Sequence, residues 1–79
     1  MILLTERLKE ARKRKGLTQT EVAKMIFSDR QAVYLYESNR RIPRLDVIEK
    51  LAKIYGVNPA WLVGWSDEQW WAKKHSKTK

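Results

Sequence analysis

Apolar residues recur at helical spacing along nearly the whole chain. Leu4, Leu8 and Ala11 fall at i, i+4 and i+7 with Arg and Lys between them, the mark of an amphipathic helix. It ends near Lys15, and Gly16 stands where a helix places a left-handed C′ residue. Thr18 and Glu21 have capping-box spacing, so a second helix opens there, with Val22, Ala23 and Ile26 on its apolar face. Phe27-Ser28-Asp29 interrupts the pattern. Asp29 is a good N-cap for a third helix over 30–38, with Val33 and Tyr36 inward and Asn39 able to end it. A basic loop around Pro43 leads to a fourth helix, with Leu45, Ile48, Leu51, Ala52 and Tyr55 along one stripe and Gly56 as its stop. Asn58-Pro59 reads as an N-cap followed by proline at N1, which opens a short fifth helix through Val63, ended by Gly64. Ser66 to Gln69 again has capping-box spacing, and Trp65 and Trp70 occupy the positions of a hydrophobic staple. A short sixth helix is expected over 67–74. No strand-length alternation and no internal repeat interrupts this all-α pattern.

Composition narrows the function. The 79 residues suit one small domain. They contain no Cys, which removes disulfide frameworks and cysteine-based zinc sites. The one histidine, His75, lies in a tail expected to be disordered, so no metal site and no cofactor are expected. No apolar run approaches the roughly 18 residues of a membrane span, and charge follows Met1 too soon for a signal peptide. No paired-carboxylate site or phosphate-cradling glycine loop is present, so neither an enzyme nor a small-molecule substrate is expected. Lys and Arg number 17 against 9 acids, a net charge of +8. Such an excess suits a polyanion, nucleic acid first, with an acidic protein or an anionic membrane surface as alternatives. Half of the excess sits in residues 72–79, which carry four lysines and no acid. A cysteine-free chain of this kind is expected in a reducing compartment, the cytoplasm.

At Leu17-Thr18-Gln19 with Val22-Ala23, Tyr36-Glu37 with Arg41 and Pro43, and Leu51-Ala52 with Gly56-Val57, the chain resembles the Cro/repressor-type (XRE) helix-turn-helix family. Arg7-Leu8-Lys9, Arg12, Lys15-Gly16, Ile42, Leu45 and Trp61-Leu62 extend the match, which covers about residues 5–64 without a gap. The resemblance implies a five-helix, phage-repressor-like domain over 1–64, with helices two and three as the motif and 65–79 as a tryptophan-rich extension and basic tail. It also implies a regulator that binds double-stranded operator DNA. With no room in this sequence for a sensor or protease domain, a Cro-like switch protein is expected. Two positions depart from the family. Phe27 stands where a glycine is usual at the tight turn. Either it accepts a positive φ, at about 1 kcal/mol, or it trades places with Ser28 and fills the core. Arg44 replaces the usual Ser or Thr cap of helix four.

The physics of readout assigns the site. The major groove admits one helix, entered by its N-terminal residues. Arg30 can pair with O6 and N7 of guanine, and Gln31 with N6 and N7 of adenine. Tyr34 and Leu35 follow one turn on, where they touch either DNA or a protein surface. Gln19, at the start of helix two, suits a phosphate, and the resemblance implies that it also braces the reading side chain. Ser38, Asn39, Arg40, Arg41 and Arg44 should lie along the DNA backbone. The resemblance further implies a structural ion pair between Arg12 and Glu37. Four tryptophans within eleven residues, Trp61, Trp65, Trp70 and Trp71, exceed what a small core can hide. Because the helix-five region supplies the dimer contact in related phage repressors, they are candidates for a homodimer seam. A dimer would read a pseudo-palindromic operator. The competing reading is a protein-interaction module on the same fold: an antirepressor, an antitoxin or an inhibitor of a host protein.

Overall fold

The computed structural model describes residues 2–69. Five helices follow one another: α1 (Ile2–Arg14), α2 (Gln19–Met25), α3 (Arg30–Glu37), α4 (Leu45–Tyr55) and α5 (Pro59–Leu62). No strand occurs among the described residues. The helices begin where local hydrogen bonds satisfy their first free N–H groups. The Thr18 hydroxyl accepts from Glu21 N while the Glu21 carboxylate accepts from Thr18 N, a complete capping box. Asp29 accepts from Ala32 N at 2.9 Å, and Asn58 accepts from Ala60 N at 3.0 Å ahead of Pro59. Arg44 occupies the N-cap of α4 with no side-chain cap bond.

Helix endings explain the compactness of the connections. After α1, Leu17 N bonds Arg12 O and Gly16 N bonds Lys13 O, the paired bonds of a Schellman motif with the C′ residue left-handed. The same pair closes α2, from Ser28 N to Ala23 O and from Phe27 N to Lys24 O. The left-handed residue there is Phe27, with φ 56°. It accepts the glycine conformation, and its ring stays outside, 91% exposed. The exchange in which Phe27 would fill the core does not occur, and Ser28 is exposed as well. A side chain whose backbone sits at a C′ corner points away from the helix pair it joins. Asn39 ends α3 in the same conformation, with φ 63°.

The core is one cluster. Leu4, Leu8 and Ala11 of α1 meet Val22, Ala23 and Ile26, then Val33, then Ile48, Leu51, Ala52 and Tyr55, and finally Val57, Trp61 and Leu62. Val22, Leu8, Leu51 and Leu62 lose essentially all contact with water, each worth roughly 1.5–3 kcal/mol. Tyr36 packs at the margin, partly buried. Leu45, expected on the buried stripe of α4, is instead 69% exposed. It is the first residue of α4, one turn before the buried Ile48. The segment expected to open a sixth helix is not helical over 67–69. Its backbone bonds to Asn58 instead: Asn58 Nδ2 donates to Glu68 O at 3.0 Å and Asn58 N to Gln69 O at 2.8 Å. The carbonyls of Glu68 and Gln69 are thus turned onto Asn58. The remainder of that expected helix, with the staple partner Trp70, lies outside the described residues.

Candidate nucleic-acid interface

The buried side of the site is an ion pair. Arg12 Nε donates to Glu37 Oε2 at 2.7 Å and Arg12 Nη2 to Glu37 Oε1 at 3.1 Å. The two side chains are only 13% and 3% exposed. A third donor, Arg12 Nη1, reaches Leu17 O at 2.9 Å, so one guanidinium fastens α1 to α3 and to the α1–α2 turn. The Glu37 hydrogen bond raises the Arg12 pKa above its usual value, against the opposing pull of desolvation. Burial, with the Glu37 charge adding to it, pushes the Tyr55 hydroxyl well above the ordinary tyrosine range.

Gln19 carries the pair outward. Its Nε2 donates to Glu37 Oε1 at 3.1 Å, and its Oε1 accepts from Arg30 Nη1 at 3.1 Å. Four residues from three helices, Arg12, Glu37, Gln19 and Arg30, thus form one continuous chain of bonds from core to surface. Its outer end, Arg30, opens α3 beside the exposed Gln31. One turn along, Tyr34 is 42% exposed and Leu35 is half-buried.

The remaining sequence-selected residues are placed less uniformly. Arg40 and Arg41 are exposed, with both backbone N–H groups bonded to Leu35 O. Ser38 Oγ donates to Leu35 O at 3.3 Å, and the Asn39 side chain accepts from Thr5 Oγ1 at 3.3 Å. The Ser38 side chain is thus engaged at the end of α3, and the Asn39 side chain joins that end to α1. Arg44 stands in solvent 3.8 Å from Asp46. Trp61 is core, 6% exposed, while Trp65 is 85% exposed; Trp70 and Trp71 lie outside the described residues. The sequence reading gave no role to two residues of α1. Thr5 ties α1 to the end of α3 through Tyr36 O and Asn39. Arg7 lies 4.5 Å over the Trp61 ring and donates to the Trp61 carbonyl, completing one end of α5. Both sit among charged neighbours on α1, where periodicity alone reads a solvated face.

Among the described residues no group of His, Asp or Glu could hold a metal ion, and no helix is long and apolar enough to cross a membrane. What the scaffold does present is a short capped helix, a left-handed corner and a second helix with its first side chains in solvent. That is a helix-turn-helix domain.

Relatives agree with this geometry. A family described as "Helix-turn-helix" matches residues 8–62. The chain is 34% identical over 77 residues to the cryptic phage CTXphi transcriptional repressor RstR of Vibrio cholerae, covering 98% of this chain and 69% of that protein. It is 38% identical over 61 residues to the HTH-type transcriptional regulator ImmR of Bacillus subtilis, covering 77% of this chain and 48% of that one. An uncharacterized HTH-type transcriptional regulator of Archaeoglobus fulgidus is 30% identical over 67 residues, covering 85% of this chain and 96% of that protein. The chain thus spans about two thirds of the first relative and about half of the second. It belongs to the Cro/repressor-type helix-turn-helix family, whose members are DNA-binding transcriptional regulators.

Proposed function

We propose that this protein regulates transcription by laying α3 in the major groove of an operator, as a homodimer, without chemistry. Arg30 and Gln31 read base edges, with Tyr34 and Leu35 one turn behind. Gln19, Arg40 and Arg41 hold phosphates, joined by Ser38, Asn39 and Arg44 at the margin. The observation that carries this reading is the bond from Arg30 to Gln19 at the exposed start of α3, because it presents a guanidinium in one orientation to whatever docks there. Preorganised donors lose less freedom on binding.

A second copy is the partner the dimer reading requires. An open apolar groove of about 300 Å³ runs between Leu45, Ile48, Pro59, Ala60, Val63 and Trp65. Leu45 and Trp65 at its rim are exposed at 69% and 85%, so the groove adds apolar area to the seam assigned to the tryptophans. Half-site centres on a pseudo-palindrome then lie about 34 Å apart. The domain is the unit over 1–64, with 65–79 as its extension, and it works in the cytoplasm.

The protein-interaction reading rests on Phe27, an exposed ring with Lys50 Nζ 5.9 Å from its centre, which DNA docking leaves unused. Selection from random duplexes separates the two. A short palindromic consensus supports operator binding; no binding at moderate salt favours a protein partner. Within the first outcome, Arg30→Ala relaxes preference at one base pair, while Arg41→Ala weakens all sequences alike and lowers the salt slope by about 1. If the two variants behave alike, the division into reading and phosphate residues is wrong.

A further inference from the structure

We propose that Glu37 is a positioning residue for DNA readout: its carboxylate sets the amide orientation of Gln19, and through it the Arg30 guanidinium. This rests on the reading of Arg30 as a base contact. The argument is one of donors and acceptors. An ionised carboxylate only accepts, an amide has one end of each kind, and a guanidinium only donates. Glu37 Oε1, held in place by Arg12 Nη2 at 3.1 Å, meets the Gln19 amide at 3.1 Å. It can bond only the NH₂ end. The carbonyl end of Gln19 is therefore turned outward, and it is the end that can accept from Arg30. Reversal of the amide would place two donors face to face at Arg30 and two acceptors face to face at Glu37. The polarity of the relay is thus imposed from its buried end, where Glu37 is 4% exposed. Arg12 contributes by holding the Glu37 carboxylate in place through bonds of 2.7 and 3.1 Å. The ion pair then has a second consequence beyond joining α1 to α3: it fixes which way the reading side chain faces before DNA arrives.

Glu37→Gln tests this, because the new amide accepts as well as donates and no longer dictates the orientation of Gln19. Base discrimination at the position read by Arg30 should fall about fivefold, a coupling typical of residues in one hydrogen-bond network. Binding to DNA lacking the consensus should stay within about twofold, and discrimination at positions read by Gln31 should hold. In an Arg30→Ala background the same substitution should leave discrimination unchanged, since the relay then has no outer end. If Arg30→Ala relaxes one base pair and Glu37→Gln does not, the relay is refuted while the reading of Arg30 stands. If Arg30→Ala relaxes no position, the reading itself fails. A purely structural role would lower all affinities together and show no coupling in the cycle, which also refutes the proposal. Should Glu37→Gln fail to fold, the wild-type protein decides alone by nuclear magnetic resonance. Of the two Gln19 side-chain amide protons, the one bonded to Glu37 should be protected from solvent exchange. Two rapidly exchanging signals would overturn the proposal.

Discussion

Replacing Arg12 with Met isolates the energetic weight of the buried pair. The variant keeps most of the apolar stem and removes all three guanidinium donors. Two of them serve Glu37 at 2.7 and 3.1 Å, and the third serves Leu17 O. Glu37, whose side chain is 3% exposed, then keeps, among the described residues, the bond from Gln19 Nε2. Removing one partner of a buried pair costs roughly 3–5 kcal/mol, because the other charge stays desolvated and uncompensated. At roughly 0.05–0.15 kcal/mol per residue, a domain of this length has on the order of 4–12 kcal/mol in total. Arg12→Met should therefore consume a large part of the stability. Urea unfolding followed by circular dichroism measures it. With a slope of about 1 kcal/mol/M for so small a domain, the midpoint should fall by about 3 M or more. Arg12→Met combined with Glu37→Leu removes both charges and should recover much of the loss, since an apolar replacement of a buried pair is often neutral. A single-variant shift below about 1 M would place the pair with exposed ion pairs, worth about 0–1 kcal/mol, and refute the reasoning. So would a double variant less stable than Arg12→Met itself.

Phe27→Gly relieves a side chain from a left-handed backbone while losing almost no buried area, so it should raise stability by about 0.5–1 kcal/mol in the same assay; a loss would mean the ring has a packing role. Tyr55 has its hydroxyl raised above the usual value near 10, so its contribution is complete below about pH 10 and is lost as pH rises beyond it. Urea midpoints from pH 9 to 11 should fall less steeply in Tyr55→Phe than in wild type, and equal slopes would refute the assignment. Leu45→Glu with Trp65→Ala should shift the protein toward monomer in sedimentation and weaken operator binding while leaving the fold intact; an unchanged mass distribution would remove this groove from the seam.

Several features were legible because they are local. The capping box at Thr18 and Glu21, the Asp29 cap, the Asn58-Pro59 start and the left-handed endings at Gly16, Asn39 and Gly56 each involve atoms within one turn. Spacing along the chain is enough to predict such bonds. The ion pair between Arg12 and Glu37 links residues 25 apart and was accessible only through resemblance to a family. The outward face of Leu45 and the grip of Asn58 on Glu68 and Gln69 were not accessible at all, and the choice between the two conformations open to Phe27 was left to packing. Helical periodicity marks a face as apolar; it does not say where along that face the core ends.

The linear order of residues therefore specified the five helices found among the described residues, the caps at Thr18, Asp29 and Asn58, and a net charge of +8 suited to a polyanion. It did so because caps and periodicity are short-range and electrostatic excess is additive. Packing decided the rest. Only when α1, α2 and α3 meet does a carboxylate in the core acquire a guanidinium on one side and an amide on the other. Only then does that amide turn its oxygen toward Arg30. Directional bonds between distant segments depend on where their donors and acceptors come to rest, and that is a property of the assembled core.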